Sequence, residues 1–259
     1  MTPIIPVGAF TDNYVWIVRS GDAAVAVDPG DAAPVIAYLE RERLRLVAVL
    51  ATHHHGDHVG GIPALVERYC AHVYGPAREA IPHRGTALAE GDVVRIDAPA
   101  LALRVLDIPG HTAGHIALIG TIDGSPTLFC GDTLFAAGCG KLFEGTPSQM
   151  WTSLSKLAAL PPATRVYCGH EYTLANLRFA AAVEPASDDV RERIARESAK
   201  RARDEPTLPS TIADELLTNP FLRVREPAVR RAAEAESDTP PGDDVAVFAA
   251  LRAWKNRFR

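Results

Sequence analysis

The segment spanning residues 52–58 constrains this chain more than any other part of its sequence. It reads Thr-His-His-His-Gly-Asp-His and follows residues 44–50, a short apolar run that predicts a buried strand. A helix is predicted from near Val59 to Tyr69, so the cluster lies in a loop between strand and helix. Such loops gather ligands and catalytic groups at the edge of a sheet. Burying four imidazoles and a carboxylate would be costly without a cation, and these groups suit Zn²⁺, Fe or Mn.

Further candidate ligands follow other predicted strands. His111 and His115 come after Ile-Pro-Gly, Asp132 comes after Phe-Cys-Gly, and His170 comes after Tyr-Cys-Gly. Because each group follows a strand and a glycine, we expect one sheet edge to bring them together. This repetition argues against the alternative of a solvated, polyhistidine-like loop. The groups outnumber the ligands of one tetrahedral zinc, and they suit two adjacent metals that share a bridging carboxylate.

Strands and helices are mixed over the first two thirds of the chain. Strands are predicted at residues 14–18, 23–27, 44–50, 93–96, 101–108, 115–119, 127–130 and 165–168. Helices are predicted after Asp31, from near Val59 and after Pro147. This order is typical of helices packed on the faces of sheets, an α/β layered domain.

No strand is predicted from Tyr172 onward, where the chain is rich in Ala, Arg and Glu. One helix is expected from Ser187 or Asp188 to Arg203, and its charges at i, i+4 spacing predict a solvated face. Another helix is expected from about Asp243. We therefore predict an α/β catalytic domain over residues 1–168 and an α-helical domain over residues 169–259.

Composition excludes several classes of protein. The formal net charge of −5 in 259 residues gives no sign of a nucleic-acid-binding surface. The longest clean apolar stretch, residues 46–51, is far shorter than the ~18 residues of a membrane helix, so no membrane contact is expected. The first residues lack a signal-peptide pattern, and the four cysteines contain no C-x-x-C pair. We expect a cytoplasmic monomer with reduced thiols.

The motifs together resemble a known family. T-H-x-H-x-D-H, G-H-T-x-G-H, G-D after a strand and G-H-E-Y are similar to motifs of the metallo-β-lactamase fold superfamily. Within it, the chain resembles the hydroxyacylglutathione hydrolases, or glyoxalase II enzymes. This closer resemblance rests on the sequences at residues 137–141, 168–173, 210–212 and 218–223. It implies a four-layer αββα sandwich followed by a smaller all-α domain that contributes to glutathione binding.

The resemblance also implies a set of metal ligands. His53, His55 and His111 would hold the first metal, Asp57, His58 and His170 the second, and Asp132 would bridge the two. Asp57 and Asp132 would thereby hold a bridging hydroxide that attacks the acyl carbon. We expect zinc at both sites, with Fe or Mn as the alternatives that His and Asp ligands also accept.

The remaining histidines and Asp28 have no ligand role in this scheme. His54 occupies a variable position of the motif, and His115 is expected to organise its loop by hydrogen bonding. Asp28, in Val-Asp-Pro-Gly, either supports a metal-bound histidine or only forms a turn before proline.

The implied reaction is hydrolysis of S-D-lactoylglutathione, a 2-hydroxyacyl thioester, to glutathione and D-lactate, the second step of methylglyoxal detoxification. A thiolate, with a thiol pKa of ~8.5, leaves without a general acid far more readily than an amine or alkoxide. A site composed only of metals and their ligands therefore suits a thioester.

Glutathione carries two carboxylates, so its thioester needs cationic partners. Lys141 follows Asp132 by nine residues, and Arg252 and Lys255 share one face of the last helix. Arg257 and Arg259 extend this basic C-terminus, although they equally suit a favourable contact with a helix end. Tyr172 matches a family tyrosine at the substrate site.

The chain departs from the family pattern at Phe143, where the resemblance predicts tyrosine among the substrate-binding residues. A missing hydroxyl costs one hydrogen bond, about 1 kcal/mol, so we expect weaker substrate binding rather than loss of activity.

Two other functions remain open on the sequence. One is a persulfide dioxygenase of the same fold with a single iron. The other is a non-catalytic, metal-stabilised binding module whose helical domain engages a protein.

Overall fold

Two six-stranded sheets form the centre of the computed structural model, which describes residues 2–237 and 240–258. Arg259, one of the predicted basic residues, lies outside the described residues. The strands of the first sheet lie in chain order: β1 (Ile4–Ala9), β2 (Asn13–Ser20), β3 (Ala23–Val27), β4 (Arg45–Leu50), β5 (His72–Pro76) and β6 (Thr86–Leu88). β1, β2 and β3 pair antiparallel, and β3 to β6 pair parallel.

The second sheet has the order β14-β13-β10-β9-β8-β7. Its strands are β7 (Val93–Ile96), β8 (Leu101–Asp107), β9 (Ile116–Ile122), β10 (Ser125–Gly131), β13 (Arg165–Cys168) and β14 (Ser210–Thr211). β10 and β13 run parallel, so both end at the same edge of the sheet. A short hairpin, β11 (Leu134–Phe135) with β12 (Gly138–Cys139), follows β10.

The helices cover the outer faces of the sheets. They are α1 (Ala32–Glu42), α2 (Gly56–Val59), α3 (Ile62–Tyr69), α4 (Pro147–Ala158), α5 (Thr173–Val183), α6 (Asp188–Arg201), α7 (Ile212–Thr218), α8 (Pro227–Ala235) and α9 (Asp244–Arg257). α1 and α3 pack through residues such as Leu39 and Leu65 on the first sheet. α4 packs against α7 and α9. No helix within residues 2–237 and 240–258 is long and apolar enough to cross a membrane.

A continuous apolar core joins the two sheets face to face. Trp16 and Leu50 of the first sheet belong to the same buried cluster as Leu103 and Leu128 of the second. Phe248 of α9 belongs to this cluster as well, so the C-terminal helices share the core of the sandwich. The predicted four-layer αββα arrangement followed by helices is confirmed.

Local signals placed several elements correctly. The strands at residues 23–27, 93–96 and 165–168 have the predicted bounds. Asp31 caps α1 by accepting from the Ala33 N–H, and Ser187 caps α6 by accepting from the Val190 N–H. β1, β5 and β6 were not predicted.

The helix predicted from Val59 to Tyr69 is wrong in its continuity. α2 ends at Val59, and α3 begins at Ile62. The backbone of residues 29–32 approaches so closely here that a Cβ on Gly60 or Gly61 would clash with it. The segment that follows Asp28 therefore packs against the junction of the two helices.

Two expectations for the C-terminal part are also wrong. A strand does occur there, because Ser210–Thr211 pairs antiparallel with β13; its two residues are too few to show periodicity. The charged face of α6 is not solvated throughout, since Arg193 is 3% and Glu197 2% exposed. Arg193 forms an ion pair with Glu215 of α7 at 2.6 Å, a partner that the α6 sequence does not reveal.

Candidate metal centre and substrate pocket

The predicted ligands converge at one edge of the sandwich. His53 and His55 follow β4, His111 follows β8, and His170 follows β13. Asp132 follows β10, beside β13 in the same sheet. The strand-then-glycine pattern therefore does place the side chains together, as the sequence predicts.

The first predicted set of three forms a compact group. One ligand atom each from His53, His55 and His111 lies within 4.8 Å of the others. His111 Nε2 is 2.9 Å from His55 Nδ1, and His53 is fully buried behind them. Three imidazole nitrogens thus face a common centre.

The second set lies beside the first. Donor atoms of Asp57, His58 and His170 lie within 4.8 Å of one another, and His170 Nε2 is 3.4 Å from Asp57 Oδ2. Asp132 stands between the sets. Its Oδ2 lies 3.2 Å from His170 Nε2 and 3.5 Å from His111 Nε2.

Unpartnered atoms show that these residues suit a cation. His53 Nε2, His58 Nε2 and Asp132 Oδ1 are buried without a hydrogen bond of good geometry among the described residues. Buried polar atoms are nearly always satisfied, and three such atoms in one cluster are what metal ligands show without their ion. Imidazole and carboxylate donors in this number fit divalent metals.

Electrostatics divide the cluster into two kinds of histidine. Burial lowers the pKa of His53 and His111, so their rings are neutral with lone pairs free to bind. Burial also opposes the charge of His170, but the Asp132 and Asp57 carboxylates outweigh it and raise its pKa to about 10. The hydrogen bond from His170, followed by nearby His58, holds the pKa of Asp57 well below its ordinary value.

Two glycines explain why the ligands can approach so closely. Gly131 has a φ of +46°, and a Cβ there would meet the Thr52 hydroxyl and the His115 ring. A Cβ on Gly169 would lie between the His58 ring and an Asp132 oxygen. The glycines before Asp132 and His170 leave room for the neighbouring ligand loops.

The turn between β1 and β2 orients the second set, a contribution that the sequence analysis missed. Asp12 Oδ1 lies 2.8 Å from His170 Nδ1, and Asn13 Nδ2 donates to Asp57 Oδ2 at 3.0 Å. A carboxylate on the far nitrogen of a metal-binding histidine fixes its ring and tautomer. Asp12 lies 158 residues from His170, so no local pattern could have revealed this contact.

Asp28 lies in a turn and also contacts a candidate ligand. Its φ of 52° places it in a turn, and its two oxygens accept from the Thr52 N–H and hydroxyl at 2.8 Å each. Its Oδ2 also lies 3.2 Å from His58 Nδ1. His115 is a loop-organising residue, as predicted: its Nε2 accepts from the Asp132 N–H at 3.2 Å.

A cavity of about 700 Å³ opens in front of the cluster. Its lining includes the accessible metal-ligand candidates and all the predicted substrate-binding residues: Lys141, Phe143, Tyr172, Arg252 and Lys255. His53 and His58 do not line it because they lie behind the other ligands. The structure therefore brings the two predicted groups of residues to one pocket.

Aromatic rings form the wall of the pocket beside the ligands. Tyr172 stacks on the His170 ring, with centroids 4.6 Å apart and planes within 3°. Phe143 is 62% exposed and stands edge-on to His55 and His111, at 5.4 and 5.2 Å between centroids. An apolar ring, without a hydroxyl, thus faces any group bound at the first set.

Two cations of α9, Arg252 and Lys255, line the same pocket. Arg252 is 5% exposed, and its Nη1 donates to the Cys139 carbonyl at 2.9 Å. Lys255 Nζ donates to the Ala175 carbonyl at 3.0 Å and lies 5.3 Å from the Phe179 ring centroid. Burial, followed by the neighbouring Arg252 charge, lowers the Lys255 pKa to about 8.

The family models divide the chain into two matched segments. Residues 8–170 match the metallo-beta-lactamase superfamily, and residues 171–258 match the hydroxyacylglutathione hydrolase C-terminus. The hydroxyacylglutathione hydrolase of Cupriavidus taiwanensis is 55% identical, and the alignment covers 100% of both chains. This chain belongs to the hydroxyacylglutathione hydrolase family. The resemblance inferred from its motifs is confirmed.

Two solved structures are similar to this chain in fold. The crystal structure of ETHE1 from Myxococcus xanthus has a TM-score of 0.65 at 26% identity, covering 98% of this chain and 99% of that one. The crystal structure of TTHA1623 in a di-iron-bound form has a TM-score of 0.53 at 33% identity, covering 64% of this chain and 91% of that one. Both similarities support the fold assigned above.

Proposed function

We propose that this chain hydrolyses S-(2-hydroxyacyl)glutathione, S-D-lactoylglutathione in particular, to glutathione and the free 2-hydroxy acid, D-lactate. This is the thioesterase step of methylglyoxal detoxification. One observation carries the proposal: a single pocket holds both the His/Asp cluster and the cations of α9. Membership of the hydroxyacylglutathione hydrolase family supports the same reaction.

We infer that two divalent metals occupy the cluster. His53, His55 and His111 would hold one, Asp57, His58 and His170 would hold the other, and Asp132 lies within reach of both. When bound, such a pair supplies a nucleophilic hydroxide at neutral pH and polarises the acyl carbonyl. Zinc is our assignment, and iron is the main rival because the similar TTHA1623 was solved in a di-iron-bound form.

The protein's own groups bind and orient the thioester. Lys141, Arg252 and Lys255 place positive charge in the pocket for the two glutathione carboxylates. Tyr172 and Phe143 provide flat apolar surface beside the ligands, where the acyl group must lie. The departing thiolate is stable near neutral pH and needs no proton donor, so the site can work without a general acid.

We further propose that residues 169–259 are the glutathione-binding domain of a cytoplasmic monomer. The four cysteines are free thiols, as a reducing compartment favours. Light scattering of the metal-loaded protein tests the oligomeric state, and a dimer would contradict this part.

Hydrolysis of S-lactoylglutathione, followed by absorbance, tests the reaction on the same sample used for metal analysis. Asp132→Ala is expected to abolish turnover and to lower metal content, because both sets lose a carboxylate. Asp97→Ala, an exposed carboxylate away from the pocket, is the matched control. Normal turnover in Asp132→Ala would overturn the proposal. One iron per chain with O₂ uptake on glutathione persulfide would favour the dioxygenase instead.

Substrate binding is tested separately from chemistry. Arg252→Ala is expected to raise KM with a much smaller change in kcat, because the residue lines the pocket but does not belong to the ligand cluster. An unchanged KM would show that Arg252 does not bind the glutathione part of the substrate.

A further inference from the structure

We propose that Glu79 is a positioning residue that joins the two loops carrying the first metal set. This assignment rests on the metal centre proposed above. Glu79 follows β5 and belongs to none of the motifs that identify the family. Its side chain is 2% exposed, and no Lys or Arg side chain forms an ion pair with its carboxylate among the described residues.

The carboxylate is satisfied entirely by donors of the two ligand loops. Its Oε2 accepts from the His54 N–H at 2.6 Å and lies 2.8 Å from His54 Nδ1. Its Oε1 accepts from the Thr112 hydroxyl and from the Gly114 N–H, the latter at 3.0 Å. One side chain therefore bonds the loop of His53 and His55 to the loop of His111.

This arrangement accounts for residues that the metal chemistry leaves unexplained. His54 lies between two ligands yet faces Glu79 rather than the ligand cluster. Thr112 and Gly114 are two of the non-ligand positions of the G-H-T-x-G-H motif, and both bond to the same carboxylate oxygen. A Cβ on Gly114 would lie 2.6 Å from Glu79 Cγ, so glycine is required for the carboxylate to reach the loop.

The segment that carries Glu79 is itself fixed. Arg84 Nη1 donates to the carbonyls of Pro76 and Glu79 at 2.5 Å each, and Pro76 ends β5. The carboxylate thus extends from a rigid strand end to both loops. Because the loops are separate in sequence, their spacing depends on such a bridge, and this spacing sets the distance from His111 to His55.

Glu79→Gln tests the assignment while preserving volume. The amide keeps one acceptor oxygen, so two of the four donors lose their partner and face an NH₂ group. Apo-protein is titrated with Zn²⁺ against a chromophoric chelator, and the dissociation constant of each metal equivalent is fitted. We expect one equivalent to weaken about 10- to 100-fold, the range typical of groups that orient metal ligands, and the other to change by less than about threefold.

Two further variants keep the test decisive. Glu184→Gln replaces a buried glutamate that pairs with Arg223, away from the pocket, and it should leave both constants unchanged. Thr112→Val removes only one donor to Glu79 and should weaken the same equivalent by a smaller factor, even if Glu79→Gln fails to fold. A Co²⁺ titration should show an altered visible spectrum for that equivalent alone.

The outcomes separate this assignment from the proposed function. Unchanged metal constants in both Glu79→Gln and Thr112→Val would overturn the role of Glu79 and leave the hydrolase proposal standing. Equal weakening of both metal equivalents, matched by Glu184→Gln, would mean that Glu79 only stabilises the fold. This result would also overturn the assignment. Failure of the wild-type chain to bind metal or cleave the thioester would instead overturn the proposed function.

Discussion

Replacing Glu215 by glutamine should destabilise the whole protein, because this buried residue joins the C-terminal helices to the hairpin of β11 and β12. Glu215 is 0% exposed. Its Oε1 accepts from Arg193 Nη2 at 2.6 Å and from the Ser210 hydroxyl. Its Oε2 accepts from the Ala137 N–H at 2.7 Å and from Asn219 Nδ2 at 2.9 Å. In the glutamine variant one of these two oxygens becomes an NH₂ group, so two of the four donors lose their acceptor.

The magnitude follows from those contacts. Leaving one partner of a buried ion pair unpaired costs about 3–5 kcal/mol, and an unsatisfied buried donor costs about 1–3 kcal/mol. Arg193 retains the Thr218 hydroxyl at 2.5 Å and the Asp214 carbonyl at 3.3 Å, so the lower end applies. We therefore expect Glu215→Gln to lower the free energy of unfolding by about 3 kcal/mol, out of a typical 5–15 kcal/mol.

Urea unfolding at fixed metal concentration measures this loss as a shift of the midpoint at unchanged slope. Glu205→Gln is the matched control, since its ion pair with Arg203 is exposed and should contribute nothing measurable. A loss below about 1 kcal/mol for Glu215→Gln would refute the reasoning, because it would mean that the buried carboxylate is not a required acceptor.

Three further changes probe the pocket and the second metal set. Lys255 has a pKa of about 8, so it is charged at pH 7 and loses its proton as the pH rises. Because the neutral amine no longer attracts a substrate carboxylate, KM should increase between pH 7 and 9. Lys255→Arg should remove this pH dependence, because arginine stays charged. Phe143→Tyr restores a hydroxyl worth about 1 kcal/mol, which should lower KM about fivefold, and an unchanged KM would contradict it. Asp12→Asn removes the carboxylate behind His170 and should weaken one metal equivalent by about 10- to 100-fold in the chelator assay, with unchanged affinity as the contrary result.

The ligand candidates could be predicted from sequence because they follow the ends of strands: Asp132 follows β10 by one residue, His170 follows β13 by two, and His53 follows β4 by three. A short apolar run, a glycine and then His or Asp is a local pattern, and parallel β10 and β13 bring two such ends together. The assignment of individual ligands to two metals came from the family resemblance and remains a proposal. In the structure, the three ligand atoms of each predicted set also lie close to one another.

The supporting contacts could not be predicted, because they join residues far apart in the chain. Glu79 bonds to His54 across 25 residues and to Gly114 across 35. Arg193 was predicted to lie on a solvated helical face, because Asp189 of the same helix is a possible partner at i, i+4 spacing. Its buried partner, Glu215, belongs to another helix. Side-chain periodicity describes one element at a time, whereas these carboxylates act between elements.

The net charge of this chain is negative, yet its pocket should attract a substrate carboxylate. We attribute this attraction to the burial of Lys255 rather than to the number of positive charges. The Lys255 ammonium lies 5.3 and 5.6 Å from the ring centroids of Phe179 and Phe258, with the Ala175 carbonyl as an acceptor. Desolvation lowers its pKa, which means that the charged form is poorly compensated there. A substrate carboxylate would supply the missing opposite charge where water screens it weakly, so the pair should be stronger than an ion pair on the surface. The same desolvation that lowers the Lys255 pKa to about 8 therefore favours binding of a substrate whose thiol part carries carboxylates.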